Sequence, residues 1–509
     1  MTTPITSVNP QVSSTKQPQK TTKTSIFYIN DVHSNITNLE KLKSASDNFD
    51  SFTPSEKVDK LKFSAGDVSL GVGIDKNKYG VIAQNAMGIM ATAVGNHEFD
   101  LVKDNVAKVV DDSNFKLLGM NVNIPETIDS NKKIKSKIMN SYIQEQNGTK
   151  YGVIGLIPFD FRLHATHPQE YSDFDVYSIE KTIPLLQKEI DAMKEKGVNK
   201  IILLSHGGKD ADKKLAQSVE GIDVIIGGHT HNLIKDLKEG ENLFYSKKTG
   251  EPTIITQAGK DGQYFGILNL EFDESGVIKS AQNNVNETEK YTKSPIMKAI
   301  TNKIFGKPNT VGKINSVEKY SNCLVEENPG ANFIADTVRE TLPVDIAIIN
   351  PGNIRGKFEA GPITDRDISE MTPFKNEMCI LPLSEKEVVD AIKVGGKSLT
   401  NKASMPGILA VSGLKYTLSK NGDVKEILFV DKEGKETKID VNNPNPFKTY
   451  KVAADSFIIK GGNSYLSDKR SFVDKKFDYD KDKIAIDYIK NSNKPIDIKY
   501  DGRIKIENQ

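Results

Sequence analysis

Seven histidines occur in this 509-residue chain. Five of them, His33, His97, His206, His229 and His231, directly follow short apolar runs that read as buried strands. Asp31, Asp67 and Asn96 occupy the same kind of position. Asp31-Val32-His33 follows the run 25–30, Gly66-Asp67 follows 61–65, and Gly95-Asn96-His97-Glu98-Phe99-Asp100 follows 91–94. Ser205-His206-Gly207-Gly208 follows 201–204, and Gly227-Gly228-His229-Thr230-His231 follows 224–226. The donors are imidazole nitrogen and carboxylate or amide oxygen, a set that suits Zn²⁺, Mn²⁺, Fe or Co rather than Ca²⁺ or Mg²⁺ alone. Eight such groups exceed the needs of one ion. Two divalent ions about 3.5–4 Å apart, sharing one carboxylate, would use all but one and form a hydrolytic clamp that activates water and stabilises an in-line displacement at phosphorus. The histidine left over would serve as acid or charge stabiliser, oriented by a carboxylate.

Taken singly these signals are weak: D-x-H is more often a turn Asp beside an incidental His, and Gly-Asp alone marks a turn. Their repetition at strand exits carries the argument, because sites in open α/β sheets form at the carboxyl ends of strands. The elements that must position them follow from periodicity. Helical patterns run through 79–90 and 184–196, the latter with Leu185, Leu186, Ile190 and Met193 on one face. Further strands are expected at 115–120 and 151–157, the latter leading into Pro158-Phe159-Asp160, and 262–272 alternates as a closing antiparallel strand. His164 and His167 read as loop residues.

At this length two or three domains are expected. Residues 1–24, rich in Thr, Ser, Pro, Gln and Lys, read as a disordered lead. A first domain is expected over 25–286, a helical linker over 287–306, and a second domain with its own strands and glycine-rich corners over 307–505. The formal net charge is +1, from 69 basic and 68 acidic residues, which gives no bulk attraction to a nucleic-acid polymer or a membrane surface. No run approaches the roughly 20 apolar residues of a membrane span. The first residues lack the apolar core of a secretion signal, so a cytoplasmic location is expected. Two cysteines, Cys323 and Cys379, cannot build a disulfide framework or a cysteine-rich zinc site.

The ordered series D-x-H, G-D, G-N-H-E, H and G-H-x-H resembles the calcineurin-like metallophosphoesterase superfamily. Its tighter form, GNHEFD with a second domain behind it, resembles the two-domain 5′-nucleotidase family over nearly all the chain after the lead. The resemblance implies an α/β fold: a metallophosphoesterase β-sandwich flanked by helices, joined by the helical linker to a mixed α/β substrate-binding domain. It implies that Asp31, His33, Asp67 and His231 hold one metal and that Asp67, Asn96, His206 and His229 hold the other. His97, paired with Asp100, would sit free beside the phosphate. In the second half, Glu327-Asn328-Pro329-Gly330-Ala331-Asn332 through Asp336 resembles the opening signature of the substrate domain. Asn350-Pro351-Gly352-Asn353-Ile354-Arg355 resembles its Asn-x-Gly-x-Ile-Arg corner, with Arg355 on the substrate phosphate. Phe374 with Asn376, and Phe457 ahead of Gly461-Gly462-Asn463, resemble the aromatic segments that sandwich a nucleobase.

The chain departs from the family pattern at four places. Ser34 stands where D-x-H is usually followed by Gly, and Val72 where a small polar residue is common. The segment 320–325 lacks an expected arginine, and Asn463 replaces an aspartate. His231 stands where many relatives carry Gln. The implied activity is hydrolysis of a nucleotide phosphate ester, releasing nucleoside and phosphate. The alternatives are a 2′,3′-cyclic-nucleotide phosphodiesterase with 3′-nucleotidase activity, a nucleotide-sugar hydrolase, and a non-catalytic nucleotide-binding protein. The family's members are mostly exported, which sets periplasmic or secreted against the cytoplasmic expectation.

Overall fold

In a computed structural model, the described residues are 21–71, 73–161, 167, 169–374, 376–401, 406–466, 475–492 and 496–507. The chain divides into two compact units, Met1–Gly306 and Lys307–Gln509.

The first unit is a sandwich of a seven-stranded and a six-stranded sheet. Strand Thr22–Ile29 runs parallel to Asp59–Ser64, which continues in parallel to Ala91–Ala93 and then Lys116–Leu118. On its other side it pairs antiparallel with Tyr264–Phe272. In the second sheet, Thr149–Leu156, Ile201–Ser205, Val224–Gly227 and Pro252–Thr256 lie parallel in that order. Parallel strands covered on both faces read as continuous apolar runs, which is why 201–204 and 224–226 show no alternation. Tyr28, Phe63, Tyr151, Val153, Ile202, Leu204, Ile226 and Leu268 fill the space between the sheets. Leu186, Ile190 and Met193, on helix Ile179–Glu195, cover the outer face of the six-stranded sheet. Leu39, Leu42, Tyr79 and Ala83, on helices Ile36–Ser51 and Ile74–Met87, cover the other.

Two expectations need correction. Thr22, Lys23 and Thr24, assigned by composition to the lead, begin the first strand, where they pair with Phe272, Glu271 and Leu270. The segment 287–306 is not a helix throughout. Its first residue, Glu287, ends the edge strand Ile278–Glu287, whose Ser, Gln and Asn side chains suit a half-solvated edge. Thr288–Lys290 is a single 3₁₀ turn, and the α-helix is confined to Pro295–Phe305, capped by the Ser294 side chain. Met297 and Thr301 bury completely, and Thr301 Oγ1 lies 2.8 Å from the Tyr79 hydroxyl, so this helix is part of the first unit's packing.

The second unit is built on a five-stranded sheet. Its strands, in order, are Ala410–Ser412, Ile346–Ile349, Thr449–Asp455, Glu377–Ser384 and Lys475–Asp480. Apolar clusters lie on both of its faces. The signature that opens this half is architectural. Asn328 caps helix Pro329–Thr341, the Glu327 carboxylate receives Asn332 Nδ2, and Asp336 takes a bidentate pair from Arg503 at 2.7 and 2.8 Å. Among the described residues no helix is long and apolar enough to cross a membrane.

Candidate metal centre and active site

The carboxyl ends of both sheets converge on one buried cluster. The seven-stranded sheet brings Asp31, His33, Asp67, Asn96 and His97, and the six-stranded sheet brings His206, His229 and His231. Asp31, His33, Asp67, Asn96 and His206 are all buried, at 4% exposure or less. Potential ligand atoms of Asp31, His33 and His231 lie within 4.8 Å of one another, as do those of Asp67, His206 and His229, and those of His33, Asp67 and His97. Asp67 Oδ2 stands 3.0 Å from His206 Nε2 and 3.7 Å from His33 Nε2, so this carboxylate faces both groups. Asn96 Oδ1 is 3.1 Å from His229 Nδ1.

The backbone is bent to make this cluster. Asp31, His33, Asp67, His229 and His231 all have φ between 50° and 73°, a region that costs a non-glycine residue roughly 1–3 kcal/mol. Hydrogen bonds hold the bends: Asp31 N–H to Gly66 O and His33 N–H to Asp67 O, both 2.9 Å, and Asp261 N–H to Asp31 O at 2.6 Å. Ser34, at φ 51°, explains the glycine usual at that position, and its hydroxyl donates to Val68 O at 3.2 Å. Gly95 is required by space: a Cβ there would lie 2.1 Å from Asp67 Oδ1. Glu98, which the motif contains but whose task its spacing does not reveal, ties the loops together. Its carboxylate accepts the N–H groups of Asp67, Val68, Ser69 and Gly95 at 2.7 to 3.0 Å.

Electrostatics in the cluster favour cations. Burial alone would raise the Asp67 pKa, but His206 and His97 bring it well below the usual carboxylate range. Asp31 is lowered likewise, with His231 and His206 outweighing burial. His206 would be lowered by burial, yet Asp67 and Asp31 raise it to about 10. His231 goes the other way, to about 4, because burial outweighs the nearby Asp31. The carboxylates thus draw positive charge into a site where the buried Nε2 atoms of His33 and His206 both face the Asp67 carboxylate. Divalent cations fit that donor set, and they replace the proton that His206 otherwise keeps. Asp31, His33, Asp67 and His231 would hold one ion, and Asp67, Asn96, His206 and His229 the other.

His97 lies at the rim, half-buried, with Nδ1 2.7 Å from Asp100 Oδ2. Asp100 is fully buried. Two acidic residues without an assigned role in the sequence motifs also reach the cluster. Asp261 Oδ1 is 2.9 Å from His33 Nδ1, and Asp160 Oδ1 is 3.1 Å from His229 Nε2. Their only sequence signal is position, since Asp160 follows the strand Thr149–Leu156 and Asp261 follows Pro252–Thr256. His167 sits in a bend, while His164 and Val72 lie outside the described residues.

The second unit gathers most of the residues expected to bind substrate. Asn350 follows strand Ile346–Ile349, and its Oδ1 accepts Gly352 N–H at 3.1 Å and faces Asn463 Nδ2 at 3.4 Å. Arg355 donates from Nε to Gly352 O at 2.7 Å, and its guanidinium lies 5.5 Å from the centre of the Phe374 ring. Asn376 N–H bonds to Phe374 O at 2.9 Å. Phe457 is exposed and lies over Gly462, where a Cβ would come within 2.5 Å of its ring. Asn353 is an addition: its Nδ2 donates to the buried Asp455 at 2.6 Å, linking the Asn350 corner to the segment that carries Phe457.

Two family models match the chain, the calcineurin-like phosphoesterase over residues 24–233 and the 5′-nucleotidase C-terminal domain over 310–468. The chain belongs to the two-domain 5′-nucleotidase family. It is therefore a phosphoric ester hydrolase. The chain is similar to the trifunctional nucleotide phosphoesterase protein YfkN of Bacillus subtilis, 26% identical over 94% of this chain, and spans 34% of that longer protein. It is similar to a snake venom 5′-nucleotidase of Gloydius brevicauda, 28% identical over 80% of this chain and 73% of the other. In fold it matches the crystal structure of a 5′-nucleotidase precursor from Thermus thermophilus, with a TM-score of 0.75 and 22% identity over 96% of this chain and all of that one.

Proposed function

We propose that this chain hydrolyses nucleoside 5′-monophosphates to nucleoside and phosphate. The observation that carries this reading is the carboxylate of Asp67 standing between two ligand groups, with the His97–Asp100 pair beside them. Two divalent cations bound there would supply Lewis-acid stabilisation of phosphate charge and lower the pKa of water.

The chain's own residues do the rest. Asp100 accepts the His97 Nδ1–H and so sets the tautomer, which makes Nε2 the atom that meets substrate. As imidazolium, His97 donates a hydrogen bond to the phosphate and then a proton to the departing ester oxygen. Water adds to phosphorus and its proton leaves with the released phosphate. The bond from phosphorus to the nucleoside oxygen breaks, that oxygen leaves with the His97 proton, and solvent reprotonates His97. Asn96 Oδ1 and His229 Nδ1 stand 3.1 Å apart, as two ligand atoms of one ion would, so the ligand shell is ordered before substrate arrives. In the second unit, Arg355 is assigned to the phosphate, Phe374 and Phe457 to the base, and Asn350, Gly352, Asn376 and Asn463 to the remaining polar contacts. Stacking on a phenylalanine discriminates little among bases, so several nucleotides should serve.

The test is product analysis with Mn²⁺ present for the wild type and His97→Ala, reading phosphate from AMP and 3′-AMP, 3′-AMP and adenosine from 2′,3′-cyclic AMP, and UMP from UDP-glucose. Turnover of AMP that is largely lost in the variant supports the reading. Preference for 3′-AMP and the cyclic ester, or for the nucleotide sugar, would replace it, and no turnover of any nucleotide would leave a binding protein on this fold.

A further inference from the structure

Two carboxylates touch the outer nitrogens of two different histidines in the metal centre. His33 presents Nε2 inward, 3.7 Å from Asp67, and its Nδ1 faces Asp261 at 2.9 Å. His229 is turned the other way, with Nδ1 inward, 3.1 Å from Asn96 Oδ1, and Nε2 facing Asp160 at 3.1 and 3.3 Å. His206 solves the same problem with backbone, its Nδ1 lying 2.6 Å from Ala65 O.

A neutral imidazole binds a metal only through the nitrogen that lacks the proton. An oxygen held against the other nitrogen fixes that tautomer, orients the ring and makes it a stronger base. We propose that Asp261 and Asp160 are positioning residues, each tuning a different metal site. Asp261 acts through His33 on the site of Asp31, His33, Asp67 and His231. Asp160 acts through His229 on the site of Asp67, Asn96, His206 and His229. This rests on the two-metal reading of the centre and not on the choice of nucleotide.

The two aspartates differ in how replaceable they are. The Asp261 side chain is 4% exposed and is fixed from both ends, its own N–H bonding to Asp31 O and its carbonyl receiving Asn38 Nδ2 at 2.8 Å. The Asp160 side chain is 41% exposed, so water can take its place beside His229. Loss of Asp261 therefore weakens its site more.

The experiment is equilibrium dialysis of the full chain against buffered free Zn²⁺, with bound metal counted by elemental analysis. Wild type is expected to hold two ions. Asp261→Ala and Asp160→Ala should each hold one ion at the wild-type zinc level and need about 10- to 100-fold more to hold the second, the larger factor for Asp261. The double variant should hold none at that level, because the two changes strike different sites. Asp261→Asn and Asp160→Asn keep an acceptor and should recover part of the loss. If Asp261→Ala does not fold, Asp261→Asn carries the comparison. Two ions held by both single variants at the wild-type level would overturn the proposal, as would a double variant that still holds one. A wild type that never holds two would instead overturn the two-metal reading itself.

Discussion

Asp100 and His97 meet through one oxygen with two duties. Asp100 Oδ2 takes the His97 Nδ1 at 2.7 Å and the N–H of Gly71 at 2.6 Å, from a position with no solvent exposure. The carboxylate thus ties the imidazole to the loop that follows Asp67. Asp100→Ala should lower kcat by roughly 10²-fold or more, the usual scale for losing an oriented acid, while bound metal stays at two per chain. Equal metal content with undiminished kcat would remove Asp100 from the catalytic pair.

Glu98 makes a different prediction, about the frame. Each of its oxygens accepts two backbone N–H groups, from Asp67 and Gly95 on one side and Val68 and Ser69 on the other. Glu98→Gln turns an NH₂ group toward two of those donors. Two lost charge-assisted bonds at about 1.5 kcal/mol or more each should destabilise the first unit by about 3 kcal/mol. Chemical denaturation measures it, and a change below about 1 kcal/mol would show that water satisfies those donors.

Arg355 tests the assignment of the second unit. Its Nε is engaged by Gly352 O, so the terminal nitrogens are the ones to meet a phosphate. Arg355→Ala should raise KM for AMP by about 10- to 100-fold, the scale of one charge-assisted contact, with a smaller change in kcat. An unchanged KM in steady-state kinetics would take Arg355 out of the substrate site.

Asp223 carries a pH dependence unconnected with the metals. It accepts Ile201 N–H at 2.6 Å, and burial pushes its pKa up to about 8. The folded pKa lies above the unfolded one, so its favourable contribution is complete below about pH 4 and is lost as pH rises through 8. Asp223→Asn keeps the acceptor without the charge. It should be more stable than wild type at pH 9, on the order of 1–2 kcal/mol after allowing for partial solvation, and little different at pH 5. Urea melts at the two pH values decide it, and equal stabilities at pH 9 would contradict the raised pKa.

The candidate metal ligands were legible because each follows an apolar strand within a few residues, and a parallel sheet places all such exits on one edge. Two sheets rather than one supply that edge, which periodicity cannot distinguish. Asp160 and Asp261 were not legible as partners, since their contacts span 69 and 228 residues of sequence and depend on how loops return. The edge strand Ile278–Glu287 escaped notice for the opposite reason: half-solvated and polar, it lacks the apolar run that marks its buried neighbours. Composition likewise could not tell that Thr22 to Thr24 belong to a strand, because only the pairing with 270–272 puts them there.

The most direct test of the two-metal centre is to count bound metal while following phosphate release from AMP, for wild type and Asp67→Ala. Two divalent ions per wild-type chain are expected, with turnover lost on chelation and restored on adding Mn²⁺ or Zn²⁺. Asp67→Ala should lose both ions and all measurable turnover, because its carboxylate stands between both groups. A wild type that turns over AMP with one ion or none, or an Asp67→Ala chain that keeps two ions and its turnover, would contradict the shared-carboxylate centre.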